Sequence, residues 1–230
     1  MKIVVISDVH ANLDALMALP ESGDELWVLG DLVDYGPNPR EVVTLLRARA
    51  DVVVQGNHDH AVGFEDDPRC TLRYRKMALE TRDYTIRTLN GDLARYLQQL
   101  PLHKVLERDG KKFYFCHAIP SDPLYGYCPE DSDRWAKEIE GCEADYLLVG
   151  HTHTPFIRHV GSTTVVNPGS LGQPKTGKPD ACYAVWYDDH FELKQFPYPY
   201  RETIQKLHQL PVSADVKRDL ETVLISGALP

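Results

Sequence analysis

The N-terminal stretch KIVVISDVHANLDALMAL (2–19) indicates the fold class. Its first six residues are an apolar, β-branched run typical of a strand, and an amphipathic segment follows. The same order recurs in ELWVLG (25–30) with a helix beginning at Pro39, and in DVVVQG (51–56) with another polar-capped stretch. Strands that alternate with helices in this way predict a parallel sheet of the α/β class.

The second half of the chain has a different pattern. Apolar runs joined by tight turns predict three antiparallel hairpins, at 103–116, 154–167 and 182–196. Residues 71–100 are predicted to form a helical cover over the strand ends, with a break at Gly91-Asp92. Residues 198–230 have leucines and valines spaced for one apolar helix face, and they predict a helical tail. We interpret residues 1–230 as a single domain.

The composition is that of a globular protein. The 230 residues are 43% hydrophobic and 26% charged, and the formal net charge of -9 opposes non-specific binding to nucleic acid. Five scattered cysteines without a CxxC pair indicate neither a disulfide framework nor a thiolate zinc site. The apolar run at the N-terminus is too short for a secretory signal or a membrane span. We therefore expect a cytoplasmic protein without membrane association, and the sequence is compatible with an oligomer.

Five of the apolar runs end in side chains that bind metals. The endings are Asp8-Val9-His10, Asp31-Leu32-Val33-Asp34, Asn57-His58-Asp59, His117 and His151-Thr152-His153. In open α/β sheets, ligands gather outside the carboxyl ends of the strands, so these endings can converge on one crevice. In an extended chain, the i, i+2 spacing of Asp8/His10 and of His151/His153 would point each pair in one direction. Singly, such residues are usually helix caps, turn residues or structural histidines; together they predict a metal site.

The order of these motifs carries a family resemblance. DVH (8–10), GDLVDYG (30–36), GNHD (56–59), His117 and GHTH (150–153), followed by NPGS (167–170), closely resemble the calcineurin-like metallophosphoesterase superfamily, in particular its small bacterial branch. The likeness covers roughly residues 1–190, and the helical tail lies outside it. The resemblance implies a four-layer α/β/β/α sandwich of two mixed β-sheets with flanking helices.

The resemblance also implies a site for two divalent transition-metal ions. The residues that match the family's ligands to the first metal are Asp8, His10, Asp31 and His153. Those that match the ligands to the second are Asp31, Asn57, His117 and His151, so that Asp31 bridges. Nitrogen and oxygen ligands suit Mn, Fe, Zn, Co or Ni equally.

The chemistry of this ligand set agrees with phosphate as a substrate. Only two carboxylates would face up to four positive charges, and Asn57 coordinates without adding a negative charge, so the site stays cationic. A hydroxide bridging the two metals is expected to attack phosphorus. His58 would then protonate the departing oxygen, and Asp59 would orient its ring. Neighbouring His60 is assigned no role.

We expect a dinuclear metal-dependent phosphoesterase that hydrolyses small-molecule or nucleotide phosphate esters, with phosphodiesters favoured. The alternatives are a phosphomonoesterase acting on nucleotides or phosphoproteins and, less favoured, a non-catalytic protein-interaction module of the same fold. Arg73, Arg75 and Lys76 could reach substrate oxygens, but a solvated helix face is the preferred interpretation.

Overall fold

The computed structural model describes residues 1–228. Within this range, the strands are β1 (Ile3–Ile6), β2 (Glu25–Val28), β3 (Val52–Val53), β4 (His103–Arg108), β5 (Lys111–Cys116), β6 (Tyr146–Leu148), β7 (Phe156–Val160), β8 (Thr163–Asn167), β9 (Ala181–Tyr187) and β10 (His190–Phe196). The helices are α1 (Leu13–Met17), α2 (Pro39–Arg49), α3 (Asn57–Gly63), α4 (Leu72–Thr88), α5 (Gly91–Gln99), α6 (Trp135–Glu138), α7 (Tyr200–Leu207) and α8 (Ala214–Ser226).

The first sheet has the strand order β10-β9-β1-β2-β3. Strands β1, β2 and β3 are parallel, because β1 pairs with β2 and β2 with β3, and this confirms the predicted βαβ order. β9 runs antiparallel to β1, and β10 returns beside β9. The carboxyl ends of the parallel strands therefore lie at one edge of the sheet.

The second sheet has the order β4-β5-β6-β8-β7. Its three central strands, β5, β6 and β8, are parallel, and β4 and β7 are antiparallel edge strands. The three predicted hairpins are confirmed as β4–β5, β7–β8 and β9–β10. The hairpins β4–β5 and β7–β8 each place an antiparallel strand at an edge of the second sheet, and β9–β10 adds two antiparallel strands to one side of the first.

The two sheets pack face to face through an apolar layer rich in aromatic side chains. The Trp27 ring lies 5.0 Å from the Phe113 ring and 4.9 Å from the Phe115 ring, and Trp186 lies 5.4 Å from Phe113. All four side chains are fully buried. Burying one large apolar side chain stabilises the fold by about 1.5–3 kcal/mol, so this layer holds the two sheets firmly together.

Helices cover the outer face of each sheet. Val42 and Leu46 of α2 belong to the apolar cluster that includes Val28 on the first sheet. On the second sheet, Trp135 of α6 packs against Phe156, with ring centroids 5.9 Å apart. These layers confirm the four-layer α/β/β/α sandwich of two mixed sheets.

The helical cover predicted for residues 71–100 consists of α4 and α5. The break between them differs from the prediction, because α4 ends before Leu89 and Asn90 caps α5. The Asn90 side chain accepts a hydrogen bond from the backbone N–H of Leu93 at 2.9 Å. Gly91 is consequently the first residue of α5 rather than the point of interruption.

The helical tail packs on the body of the protein through α7 and α8. We call its contact region the tail cluster, which consists of Tyr35, Met77, Ala78, Leu207, Leu210, Val216, Leu220 and Leu224. The predicted tail of residues 198–230 is thus helical over α7 and α8, and residues 229 and 230 lie outside the described part of the chain. Within the described residues, no helix has the length and apolar character needed to cross a membrane.

Candidate metal centre

The seven residues predicted to bind metal come together at the carboxyl ends of strands from both sheets. Their positions follow β1 (Asp8, His10), β2 (Asp31), β3 (Asn57), β5 (His117) and β6 (His151, His153). His151 is half-buried, and the other six are buried. Parallel strands expose their carboxyl ends at the same edge, which is why residues far apart in sequence meet here.

Four of these residues form a compact group. Ligand atoms of Asp8, His10, Asp31 and His153 all lie within 4.8 Å of one another. The Nε2 atoms of His10 and His153 are 3.2 Å apart, and Asp8 Oδ1 lies 3.2 Å from His153 Nε2. This group has the geometry of a site that surrounds one cation.

The hydrogen bonds on the far side of the rings show which nitrogens are free. His10 Nδ1 donates to the carbonyl of Val33 at 2.9 Å, and His153 Nδ1 donates to the carbonyl of Gln173 at 2.7 Å. Burial lowers the pKa of both rings, so the neutral form with an Nε2 lone pair is favoured. Two lone pairs then face each other, and Asp8 Oδ1 has no hydrogen-bond partner among the described residues. A buried group of this kind fits a cation.

Asn57, His117 and His151 form a second group. Asn57 Oδ1 lies 3.1 Å from His117 Nε2 and 3.1 Å from His151 Nδ1. The Asn57 amide N–H donates to the carbonyl of Pro68 at 2.8 Å, which turns the amide oxygen towards the histidines. His117 Nδ1 donates to the carbonyl of Leu29 at 2.7 Å, so its Nε2 also faces inward. The amide oxygen and ring nitrogens of this group suit a transition metal.

Asp31 lies between the two groups. Its Oδ2 is 3.7 Å from His10 Nε2 and 3.3 Å from His117 Nε2. Its other oxygen, Oδ1, accepts the backbone N–H of His58 at 2.9 Å. This bond fixes the carboxylate, and its position agrees with the bridging role that the family resemblance implies.

The ring of His58 has a different partner from the one expected. His58 Nδ1 bonds to Asp34 Oδ2 at 2.8 Å, and Asp34 is fully buried. Asp59, which the sequence suggested as the orienting carboxylate, instead accepts the backbone N–H groups of Asp31 (2.8 Å), Leu32 (2.8 Å) and Gly56 (3.0 Å). His58 and Asp59 are adjacent in α3, so their side chains diverge by about 100° around the helix axis. Asp34 therefore replaces Asp59 as the residue that orients His58.

The environment of His58 favours the charged ring. Burial lowers the pKa of His58, but Cys70 and the Asp31 carboxylate near it, together with its bond to Asp34, hold that pKa well above the usual range. His58 Nε2 faces the Cys70 sulfur at 3.4 Å. Neither Asp34 nor Cys70 was predicted to contact this ring.

The loops that carry the ligands have an unusual backbone. Five of the ligand residues have positive φ angles: Asp8 (53°), His10 (46°), Asp31 (54°), His151 (64°) and His153 (61°). The expectation of an extended chain at the two i, i+2 pairs is therefore wrong. Left-handed geometry costs about 1–2 kcal/mol per residue. Inter-loop hydrogen bonds, such as His10 N–H to the Asp31 carbonyl at 2.9 Å, hold these conformations.

The basic residues of α4 lie on an exposed helix face. Arg75 forms an ion pair with Asp67, Lys76 forms one with Asp215, and Arg73 is exposed. These contacts agree with the preferred interpretation of a solvated face.

The fold and this cluster define a class of metal-binding phosphoesterases, and comparison with known proteins gives the family. Residues 1–189 match the model of the calcineurin-like phosphoesterase superfamily domain, so the chain belongs to this superfamily. It is 31% identical over 230 residues to the uncharacterized protein MJ0912 of Methanocaldococcus jannaschii, covering 89% of this chain and 91% of that protein. It is 27% identical to phosphodiesterase YfcE of Escherichia coli, covering 82% and 89% of the two chains. A crystal structure of a metallophosphoesterase from Sphaerobacter thermophilus superposes with a TM-score of 0.79 at 28% identity, covering 96% of this chain and 98% of that one.

Proposed function

We propose that this protein hydrolyses phosphate esters, with phosphodiesters favoured, at two divalent transition-metal ions. The observation that carries the proposal is the inward-facing pair of Nε2 lone pairs on His10 and His153, 3.2 Å apart beside the unpartnered Asp8 Oδ1. The ions, when bound, would supply Lewis acidity that activates water and stabilises the charge on the phosphoryl oxygens. Superfamily membership supports the reaction class, and the name of the phosphodiesterase relative supports the preference for diesters.

The ligand residues divide into two groups that share Asp31. Asp8, His10 and His153 would hold the first ion with it, and the second group would be Asn57, His117 and His151. Hydrogen bonds from Nδ1 of His10, His117 and His153 to backbone carbonyls fix the rings before a metal arrives. Such outer bonds orient the ligands and strengthen metal binding.

His58 would act as the general acid. Asp34 holds Nδ1 and leaves the Nε2 proton as the one that can be transferred to the departing oxygen of the substrate. The raised pKa of the ring keeps this proton in place at neutral pH. Asp59 would contribute indirectly, because it anchors the backbone of Asp31 and Leu32.

The test combines metal analysis with hydrolysis of a matched pair of substrates. The metal content of the purified protein is measured, and bis(p-nitrophenyl) phosphate and p-nitrophenyl phosphate are assayed after loading with Mn, Fe, Zn, Co or Ni. We expect two ions per chain with the activating metal and faster hydrolysis of the diester. Faster hydrolysis of the monoester would support the phosphomonoesterase alternative instead. No hydrolysis of either ester with any metal would contradict the proposed function.

Two variants separate metal binding from acid catalysis. Asp31→Asn is expected to lose metal and activity together, with exposed Asp92→Asn as its control. His58→Asn is expected to keep its metal and to lose about 10²- to 10⁴-fold in kcat, the range of general acid catalysis. His60→Asn, on the same helix, is the matched control and should retain full activity. Full activity of both His58→Asn and Asp31→Asn would refute this assignment.

A further inference from the structure

Lys175 is a half-buried lysine without a carboxylate partner among residues 1–228. Its ammonium lies over the ring of Tyr74, 4.5 Å from the centroid. Lys194 and Lys206, whose side chains are 32% and 42% exposed, instead form ion pairs with Glu21 and Asp14. A cation–aromatic contact attracts an ammonium but does not neutralise its charge. No acidic side chain among the described residues forms an ion pair with the Lys175 ammonium.

This charge is close to the metal centre. The backbone carbonyl of Gln173, two residues before Lys175, accepts the Nδ1 proton of His153 at 2.7 Å. Tyr74, which holds the Lys175 ammonium, packs against the tail cluster, and Tyr35 of that cluster lies 4.8 Å from the rings of His10 and His58. Burial lowers the pKa of Lys175, whereas the carboxylates of Asp8 and Asp31 raise it. Lys175 is thus linked to the metal centre through its neighbour Gln173 and through Tyr74.

The tail holds the segment that carries Lys175. The backbone N–H of Gly177 donates to the carbonyl of Gly227 at 3.2 Å, directly after α8. Gly227 has φ 63°, and a Cβ added to it would lie 2.4 Å from the Lys178 carbonyl. This backbone contact fixes the loop against a helix that lies beyond the family match of residues 1–189. The position of Lys175 is consequently a property of this chain's own tail.

A lysine without an ion-pair partner at this place has a consequence for the substrate. Two divalent ions would outweigh the two carboxylates Asp8 and Asp31, so the loaded centre would be positive, and Lys175 adds a further positive charge. The positive charges of the metal centre and of Lys175 would repel each other unless an anion lay between them. The metal ions would balance the charge of a single phosphate bound to them. Lys175 would then be available to bind another anionic group.

We propose that Lys175 binds a second phosphate of the substrate, next to the phosphate that is cleaved. The proposal rests on the proposed function and assigns its substrate class as oligophosphate esters, in which two or more phosphates are joined in a chain. Tyr74 would hold the ammonium in place as a positioning residue. A lysine is suited to this role because its three donors can follow a mobile phosphate.

The first test measures binding and does not depend on turnover. Thymidine 5′-monophosphate and 5′-diphosphate, which differ by one phosphate, are titrated calorimetrically into the metal-loaded protein and into Lys175→Met. The variant is expected to bind the diphosphate about 10- to 100-fold more weakly, as for loss of one hydrogen bond to a charged group, and the monophosphate within about twofold. Lys178→Met, an exposed lysine on the same loop, is the matched control.

Lys175→Arg keeps the positive charge and is expected to retain most of the preference for the diphosphate. This conservative variant also covers the case in which Lys175→Met fails to fold. Equal losses for both nucleotides in Lys175→Met, or equal binding of the diphosphate by wild type and the variant, would overturn the proposal. The same conclusion would follow if Lys175→Arg lost the preference completely.

The second test uses hydrolysis. The p-nitrophenyl ester of thymidine 5′-monophosphate and the γ-p-nitrophenyl ester of thymidine 5′-triphosphate release the same chromophore but differ in the length of the phosphate chain. In Lys175→Met, kcat/KM is expected to fall about 10-fold or more for the longer ester and within about twofold for the shorter one. Equal falls in kcat/KM for the two esters would contradict the role of Lys175 and leave the proposed function untouched. Absence of hydrolysis by the wild type would contradict the proposed function.

Discussion

Asp34 and Asp59 are both fully buried, but their hydrogen bonds give them different roles. Asp34 bonds to the His58 ring. Asp59 instead accepts three backbone hydrogen bonds, from the loop that contains Asp31 and from the start of α3. A carboxylate that accepts hydrogen bonds from several backbone N–H groups fixes a loop, whereas one that accepts a hydrogen bond from a ring N–H fixes a side chain. Sequence proximity to His58 therefore does not identify its partner.

Asp34→Asn is expected to reduce kcat for an aryl phosphodiester about 10- to 100-fold, because an amide orients His58 and supports its charge less well than a carboxylate does. Metal content should remain at the wild-type value, since Asp34 is not among the proposed ligands. Asp59→Asn provides the comparison and should lower the free energy of unfolding, because it weakens three backbone contacts. Wild-type kcat in Asp34→Asn would show that His58 does not depend on this bond.

Gly56 permits two ligand loops to approach each other. A Cβ at this position would lie 2.1 Å from Asp31 Oδ1 and 2.3 Å from Asp31 N. Gly56→Ala is expected to lower the free energy of unfolding by about 1–3 kcal/mol, because Asp31 must move to make room for the added methyl group. The same movement is expected to reduce the metal content. Urea unfolding and elemental analysis measure both effects.

Gly141→Ala is the control for this glycine, since a Cβ there meets no atom within 4 Å. Its unfolding free energy and metal content should match those of the wild type. If Gly56→Ala also matched the wild type, the loops would not be packed as closely as described.

Elements distant in sequence are joined around Glu21, in the loop between α1 and β2. Its carboxylate bonds to Lys2 Nζ (2.7 Å), to Tyr183 Oη on β9 (2.8 Å) and to Lys194 Nζ on β10 (3.1 Å). The bond from Lys2, followed by those from Tyr183 and Lys194, lowers the pKa of Glu21 to about 2 from the ordinary 4.5, against the effect of burial. This residue links three neighbouring strands of the first sheet.

A pH dependence of stability follows from this shift. Because the folded-state pKa is the lower one, the stabilisation is fully present above the unfolded-state pKa of 4.5 and is lost as the pH falls towards about 2. Glu21→Gln should therefore be less stable than wild type by about 1 kcal/mol at pH 7, and the difference should shrink below the unfolded-state pKa. Urea unfolding at a series of pH values measures it.

The control for the Glu21 prediction is Glu143→Gln, whose side chain is 87% exposed. Its unfolding free energy should stay within about 0.5 kcal/mol of wild type at every pH. A difference between wild type and Glu21→Gln that stayed constant with pH would mean that ionisation of Glu21 is not responsible.

Across the whole molecule, the tail and the metal centre share one packed region. Tyr35, which follows Asp34 in the chain, belongs to the tail cluster together with Leu220 of α8. The Tyr35 ring also lies 4.8 Å from the rings of His10 and His58. Loss of packing in the tail should therefore affect the protein as a unit rather than release a separate segment.

Leu220→Ala is expected to lower the free energy of unfolding by about 2–5 kcal/mol, the cost of removing a buried leucine side chain. Ile225→Ala on the same helix is the control, because Ile225 is 48% exposed and its change should stay within about 0.5 kcal/mol. Circular dichroism and tryptophan fluorescence should give the same unfolding midpoint. Separate midpoints would show that the tail unfolds independently.

The sequence by itself determined the α/β class, the three hairpins and the residues that gather at the strand ends. These features depend on local alternation of apolar residues, on turn residues and on motifs that can be read within a few positions. The order of the motifs also identified the family. Parallel strands expose their carboxyl ends at one edge of a sheet, and for this reason the sequence predicted that these residues would gather there.

Only the tertiary structure decided which side chains meet across long separations. It paired His58 with Asp34 rather than with its neighbour Asp59, placed the Lys175 ammonium over the Tyr74 ring and packed the tail against Tyr35. It also gave the ligand loops left-handed backbone angles in place of extended ones. The physical reason is that these contacts and conformations are stabilised by packing and hydrogen bonds between distant segments, which local sequence patterns do not encode.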